Sequence, residues 1–348
     1  MADAKIVLGK DEIIDLLGGL AKQMAIFAPV SNGKKLDYQR VSAPGDIVFS
    51  DELPYKSPKE LFFPRSEKII AFKDGEAVAL HTSERFVLFA ARPCDLEALA
   101  IIRKILTEGK FRDSFVEERF DNSLIIGLGC EGKKPGCFCD ERETDLNYSD
   151  KCDLFFGVGE GGAGGQREYE VMYVSEKGRE AFGGYIKSLI GFENITHEFA
   201  PKKTLSLDVT EKELFDIPDW KKLTNICQGC GMCTFICPTC HCFSFKDVDE
   251  GGVAYRYRNW DSCMFPKFTL HASGHNPRAE RHERYRQRVA HKYLYVKENI
   301  GAVACTGCGR CVRGCPAGMS IKTIVESIAG GNCMDAAETG KITKMEGE

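Results

Sequence analysis

One cysteine pattern occurs twice in this chain, and it constrains the fold more than any other feature. The two copies are Cys227-Gln-Gly-Cys230-Gly-Met-Cys233-Thr-Phe-Ile-Cys237-Pro238 and Cys305-Thr-Gly-Cys308-Gly-Arg-Cys311-Val-Arg-Gly-Cys315-Pro316. Every cysteine, both glycines and the proline recur at a constant offset of 78 residues. Spacings of two, two and three residues that end in Cys-Pro are those of the bacterial ferredoxin run, which binds [4Fe-4S] clusters. The sequence therefore predicts two such clusters.

The order of cysteines within each run predicts which cluster each one binds. The first three cysteines can reach three iron corners of one cube, and the fourth usually serves the other cluster. The predicted ligands of cluster 1 are Cys227, Cys230, Cys233 and Cys315. The predicted ligands of cluster 2 are Cys305, Cys308, Cys311 and Cys237. Ligation of each cluster by a single run is the alternative.

The glycines within the runs also suit a cluster. We expect that they let the backbone approach the inorganic sulfurs and direct N–H groups at them. These glycines are Gly229, Gly231, Gly307 and Gly309. Structural zinc is the competing interpretation, but zinc sites favour Cys pairs separated by a loop, not four cysteines within eleven residues. A chain that merely holds structural clusters or zinc, as a scaffold subunit, is the alternative function.

Seventeen cysteines in 348 residues also bear on the cellular setting. The count is odd, so complete disulfide pairing within one chain is impossible. The first residues lack the basic stretch and apolar core of a secretory signal, so we expect a cytoplasmic, reducing and anaerobic setting. No apolar run approaches the roughly 18 residues that span a bilayer. A net charge of −4 argues against general nucleic-acid binding, which needs a basic surface.

The length favours two domains, and the polar stretch over residues 199–220 is a candidate linker. Residues 1–205 are predicted to form a mixed α/β domain. Its expected elements are a strand and helix within residues 6–17, buried strands over 86–91 and 123–128, and a helix over 96–106 that Asp95 caps. Residues 206–348 are predicted to form an α-helical ferredoxin-like domain, which gives an α+β class for the whole chain.

A long insertion of 67 residues separates the two runs. It includes a predicted helix over residues 277–298, whose apolar face consists of Tyr285, Val289, Tyr293 and Val296. Two runs separated by helices resemble the α-helical ferredoxin domains of succinate dehydrogenase and heterodisulfide reductase. Residues 278–292 carry six Lys or Arg against two Glu. They form either a positive face near anionic clusters or a partner, or a solvated helix surface with internal ion pairs.

A glycine-rich stretch over residues 157–162 superficially resembles a dinucleotide-binding loop. That fingerprint requires a helix directly after the loop, to direct its N-terminus at the pyrophosphate. Residues 167–174 follow instead with a strand pattern, so a hairpin loop is predicted. No nucleotide site is expected there.

The cysteines outside the runs fall into three groups. Cys94, Cys130, Cys137 and Cys139 are candidates for a third metal centre, an iron–sulfur cluster, because loops at one sheet edge can converge. Cys240, Cys242 and Cys263 either pack against cluster 1 or ligate another centre, and the structural role is favoured. Cys152 and Cys333 have no context that distinguishes them from ordinary cysteines.

With these motifs the sequence resembles the dicluster iron–sulfur subunit of anaerobic sulfite reductase, and the iron–sulfur beta subunit of cytosolic [NiFe] hydrogenases. The distinguishing motifs are Arg92-Pro-Cys94-Asp95, Cys137-Phe-Cys139, Cys237-Pro-Thr-Cys240-His-Cys242 and Trp260-Asp-Ser-Cys263-Met264. The resemblance implies an electron-transfer protein without substrate chemistry of its own. Its partners would be a flavin- and NAD(P)H-binding reductase subunit, and a terminal redox subunit. Sulfite reduction, hydrogen metabolism and a heterodisulfide-reductase-linked system all remain open as the terminal reaction.

Overall fold

The computed structural model describes residues 7–81, 84–159, 167–183, 204–217 and 219–330. The chain divides into two compact units. The first unit comprises residues 1–63, 81–134 and 143–202, and the second comprises residues 64–80, 135–142 and 203–348. The predicted domain boundary between residues 205 and 206 stays a prediction. It does not include the segments 64–80 and 135–142, which precede it in the chain and belong to the second unit.

Strands of the described residues form two sheets, and they are labelled here in chain order. The strands are β1 Val7–Gly9, β2 Ala25–Ser31, β3 Leu36–Arg40, β4 Ser66–Lys73, β5 Glu76–Ala79, β6 Phe86–Ala91, β7 Ser123–Leu128, β8 Leu154–Val158, β9 Glu168–Tyr173, β10 Phe243–Glu250 and β11 Val253–Trp260. The sheet of the first unit has the order β1-β9-β8-β7-β6-β2-β3. The sheet of the second unit has the order β10-β11-β4-β5.

Helices of the described residues are likewise labelled in chain order. The α-helices are α1 Lys10–Leu20, α2 Lys59–Phe62, α3 Pro93–Thr107, α4 Ser114–Asp121, α5 Glu176–Phe182, α6 Glu211–Asp216, α7 Trp220–Leu223, α8 Met232–Phe235, α9 Arg281–Ala290, α10 Val296–Ile300, α11 Arg310–Arg313 and α12 Ile321–Ala329. A π-helix, His291–Tyr295, joins α9 to α10, and short 3₁₀ turns lie at Pro44–Asp46, Cys139–Arg142 and Pro266–Thr269. None of these helices has the length and apolar character that crossing a membrane requires.

The first unit is a mixed α/β fold, as the sequence predicts. Strands β2, β6, β7 and β8 are parallel neighbours, and antiparallel strands flank them. Every residue of β6 and β7 is buried, because helices cover central parallel strands on both faces. Both strands have the bounds that their apolar runs predict, and β1 followed by α1 confirms the strand and helix expected near the start.

Helix α3 begins earlier than predicted. The sequence places its start at Leu96 with Asp95 as the N-cap, whereas the helix begins at Pro93 and its N-cap is Arg92. Proline suits the first helical position because the missing N–H has no partner there anyway. Asp95 therefore lies inside the first turn, fully buried, where the Tyr38 hydroxyl donates to its carboxylate at 3.4 Å.

The glycine-rich stretch lies between two antiparallel strands. Strand β8 pairs with β9, so the chain turns back as a hairpin and no helix follows the loop. The predicted strand after this stretch is thereby confirmed, while residues 160–166 of the loop lie outside the described residues.

The second unit combines short helices with an antiparallel sheet, so an all-helical domain does not describe it. Its longest insertion contains the hairpin of β10 and β11, which pairs Phe243 with Trp260 and Glu250 with Val253. Gly251 and Gly252 form the turn with φ of +69° and +91°. Two glycines at positive φ are the signature of a tight hairpin turn, so the Gly-Gly pair is the signal by which this hairpin could have been predicted.

The predicted helix over 277–298 is present in three parts: α9, the π-helix and α10. It begins at Arg281, where the Glu283 carboxylate accepts from the backbone N–H of Glu280 at 2.8 Å and caps the first turn. The predicted apolar face is confirmed, because Tyr285, Val289, Tyr293 and Val296 are all buried. Most of this face packs in the core of the second unit with Trp220, Leu223 and residues of α12.

Candidate metal centres

The two ferredoxin runs have the same local backbone. Gly229 and Gly307 both have φ of +66°, and Gly231 and Gly309 have φ of +78° and +69°. The second glycine of each pair is the N-cap of a one-turn helix, α8 in the first run and α11 in the second. Because non-glycine residues rarely adopt this left-handed backbone, the repeated glycines are a conformational requirement of the loops.

The first run lines a pocket in the second unit, which is called the cavity of cluster 1. Four cysteines that line it are the predicted ligands of cluster 1, namely Cys227, Cys230, Cys233 and Cys315. The fourth cysteine of the second run thus lies beside the first three cysteines of the first run, as crossed ligation requires. Cys311, a predicted ligand of cluster 2, lines the same cavity.

The walls of this cavity suit an iron–sulfur cluster. Met264, Tyr285 and Ile321 line it and are almost fully buried, which limits access of water. Backbone N–H groups approach two of the sulfurs: Gly229 donates to Cys227 Sγ at 3.4 Å, and Met319 donates to Cys315 Sγ at 3.3 Å. Hydrogen bonds of this type and burial are the means by which a protein tunes a cluster.

The predicted ligands of cluster 2 also lie near one another. Burial raises the pKa of Cys311 to about 12, and the charges of Cys237, Cys308 and Cys305 act in the same direction, which shows their proximity. Tyr293 lies beside Cys305, and the Arg142 side chain donates through Nε to the carbonyl of Cys305 at 3.0 Å. The assignment of these four cysteines to one cluster stays a prediction.

Among the eight predicted ligands, Cys237 is buried beside several polar groups. A hydrogen bond from Cys240, together with the charges of Lys292 and Arg288, holds its pKa well below the usual value despite burial. The Lys292 ammonium lies 3.2 Å from Cys237 Sγ and also donates to Thr239 Oγ1 at 2.8 Å and to the Ala304 carbonyl at 2.9 Å. Since metal ligation requires the thiolate, this environment prepares Cys237 to bind iron.

A segment from the N-terminal half of the chain packs on the second run. The backbone N–H of Phe138 donates to the Gly307 carbonyl at 2.8 Å, and the Cys137 thiol donates to the Cys308 carbonyl at 3.3 Å. Arg313 fastens the same segment, because it donates to the Pro135 carbonyl at 2.8 Å. A Cβ at Gly307 would lie 2.5 Å from the Phe138 carbonyl oxygen, so glycine is required there for space as well. Residues 135–142 are called the cover segment below.

The four cysteines of the predicted third centre divide between the two units. Cys137 and Cys139 lie in the cover segment of the second unit. Cys94 and Cys130 belong to the first unit, where they follow the carboxyl ends of the adjacent parallel strands β6 and β7. The third centre stays a prediction.

The other cysteines form contacts that the spacing alone did not indicate. Cys240 is hydrogen-bonded to Cys237, and Cys242 is hydrogen-bonded to Cys263. These contacts and burial raise the pKa of Cys240 and of Cys263. Burial raises the pKa of Cys152 in the same way, and Cys333 lies outside the described residues.

Several buried polar atoms beside the runs have no protein partner within the described residues. They include Nε and Nη1 of Arg288 and the hydroxyl of Thr306. Buried donors without acceptors are costly, and the sulfides of a cluster would supply acceptors for the arginine. Within the same part of the chain, no three His, Cys, Asp or Glu side chains converge as a single metal ion requires. The cysteines that line the cavity, the N–H groups near their sulfurs and the unpartnered donors of Arg288 fit a cluster.

Comparison with known proteins identifies this region. Residues 226–319 match the family model of the 4Fe-4S dicluster domain. Over 323 residues the chain is 28% identical to sulfhydrogenase 2 subunit beta of Pyrococcus furiosus, an alignment that covers 88% of this chain and 92% of the relative. The predicted resemblance to a hydrogenase iron–sulfur subunit is thereby confirmed, and the chain is an iron–sulfur protein.

Proposed function

We propose that the chain is the electron-transfer subunit of a hydrogenase-type complex, in which its dicluster domain relays single electrons. Cys311 supports this proposal most directly, because it is a predicted ligand of cluster 2 and also lines the cavity of cluster 1. The two predicted cluster sites would therefore share a wall, which is the arrangement that rapid electron exchange between clusters needs. A [4Fe-4S] cluster, when bound, accepts and releases one electron at a time.

The ligands differ in exposure, which suggests a route for electrons. Cys230 is exposed, whereas Cys227, Cys237 and Cys308 are buried. Cluster 1 would then approach the surface at Cys230, where a partner could exchange electrons with it. Apolar walls and buried cations around the remaining cysteines would exclude water and hold the negative charge of the thiolates.

The proposed partners, in the cytoplasm, are a flavin- and NAD(P)H-binding reductase subunit, and a terminal redox subunit. A hydrogenase is the favoured terminal subunit because the relative is a subunit of a sulfhydrogenase. Sulfite reduction and a heterodisulfide-reductase-linked reaction are the alternatives for that subunit. In this proposal the chain itself converts no substrate.

Anaerobic purification of the full chain tests this function. We expect at least eight non-haem irons per chain, a brown colour that dithionite bleaches, and EPR signals from two interacting reduced clusters. The protein alone should not oxidise NADH, and activity should return when its flavin and terminal partner subunits are added. A colourless zinc protein would support the scaffold alternative. NADH oxidation by the flavin-free chain would contradict the proposal that a partner subunit, and not this chain, oxidises NADH.

Cysteine variants test the ligand assignment in the same preparation. Cys230→Ser should remove the iron of cluster 1, whereas Cys152→Ser changes a buried cysteine in the first unit and should leave the iron content unchanged. Equal iron in both variants would contradict the role of Cys230.

A further inference from the structure

Helix α9 and the π-helix after it direct three cations into the second unit. Arg284, Arg288 and Lys292 are spaced four residues apart, and their exposed fractions are only 6%, 2% and 2%. This spacing places them on one face of the helix. Of the two interpretations of the basic stretch, the structure supports a positive face near the predicted clusters for Arg288 and Lys292.

Two of these three cations donate hydrogen bonds to several acceptors within the protein. Arg284 donates to the carbonyls of Met264 and Arg278, each at 3.0 Å, and to that of Ala279. Lys292 donates to Cys237, Thr239 and Ala304. Arg284 therefore holds backbone carbonyls in place, and Lys292 donates a hydrogen bond to Cys237, a predicted ligand of cluster 2.

Arg288 differs from both neighbours. Its Nη2 donates to the carbonyl of Cys233 at 3.2 Å, but Nε and Nη1 are buried and have no partner within the described residues. Its side chain lines the cavity of cluster 1. Cys233 of the first run and Cys311 of the second run line the same cavity as Arg288.

On the basis of the proposed function, we infer that Arg288 donates N–H groups to the sulfurs of cluster 1 and sets its reduction potential. Arginine keeps its charge at any physiological pH, and its fork presents several donors in fixed directions. The external reductant supplies one electron on reduction, so the cluster site becomes more negative by one charge. No proton transfer is needed, because the guanidinium is already protonated. Arg288 stabilises the added charge and raises the potential.

The test is an EPR-monitored redox titration of the full chain, purified anaerobically. Arg288→Met should lower the potential of cluster 1 enough to shift its reduction equilibrium at least tenfold, about 59 mV for one electron. Arg288→Lys keeps a charge but loses the fork, so it should cause a smaller shift in the same direction. Arg286→Met removes the same charge from the same helix; because Arg286 packs over the Phe215 ring at 4.0 Å, both potentials should stay unchanged.

Each result decides between the alternatives. Unchanged potentials in iron-replete Arg288→Met would overturn the inference. If Arg288→Met fails to bind iron, an unchanged potential in Arg288→Lys would show that the residue only supports the fold, which also overturns it. An equal shift of the cluster 1 potential in Arg286→Met would show that the loss of any positive charge from this helix has the same effect, which also overturns the inference. Failure of the proposed function would appear differently, as a wild-type chain without two reducible clusters.

Discussion

Replacing Gly307 with alanine should loosen the contact between the cover segment and the second run. Two costs add at this position. The residue has φ of +66°, and a side chain in that conformation costs about 1–2 kcal/mol. The new Cβ would also lie 2.5 Å from the Phe138 carbonyl oxygen and 2.6 Å from the Cys139 nitrogen. These atoms belong to backbone and cannot rotate away, so overpacking adds about 1–3 kcal/mol.

Gly301→Ala is the matched control for this change. Gly301 has φ of +74° as the C-cap of α10, but no described atom lies within 4 Å of the position that a Cβ would take there. It should therefore show the backbone cost alone, about 1–2 kcal/mol. The difference between the two variants isolates the contact of the run with the cover segment.

Anaerobic thermal unfolding and iron analysis measure this difference. We expect a lower midpoint for Gly307→Ala than for Gly301→Ala, together with a loss of iron or an altered EPR signal from cluster 2. Metal binding is coupled to folding in such a domain, so the two readouts should change together. Equal midpoints with full iron in both variants would refute the argument that residues 136–139 are packed against Gly307.

Three further outcomes are expected. Lys292→Met should remove the ammonium from Cys237 and lower the potential or occupancy of cluster 2 while cluster 1 keeps its signal; an effect confined to cluster 1 would contradict the assignment. If the predicted third centre exists, the double change of Cys94 and Cys130 to Ser should lower the iron content of the full chain by about four per chain, as one cubane contains; unchanged iron would end that prediction. Cys315→Ala should deplete cluster 1, and depletion of cluster 2 alone would favour ligation within single runs.

The sequence predicted some elements well because their signals are local. Strands β6 and β7 are continuous apolar runs, and their bounds follow from those runs alone. The convergence of Cys315 with the first run was also predictable, since the spacing of a ferredoxin run carries its pairing rule. The hairpin of β10 and β11 was not predicted, although Gly251-Gly252 signals its turn, because most of β10 is exposed and carries no buried apolar run.

Other features depend on packing that no local pattern contains. The cations of residues 278–292 are compatible with a positive face near the clusters or a partner, and with a solvated helix surface. Only the fold shows which side chains of the helix are buried near the runs. The cover segment is separated from Gly307 by about 170 positions, so its contact follows from the tertiary fold. Likewise, Arg288 cannot be distinguished from Arg284 or Arg286 in the sequence. In the structure it is the one of the three that lines the cavity of cluster 1, where two of its donor atoms have no partner within the described residues.

The cover segment and strands β4 and β5 limit how this protein can be divided. A ferredoxin is often regarded as a module that can be cut out and joined to another protein. Here a fragment of residues 206–348 would lack two of the four strands of its sheet, and β11 would become an open edge. It would also lack the peptide that closes the second run. The dicluster region is therefore not transferable as one continuous piece, and any minimal version of it must include residues 64–80 and 135–142.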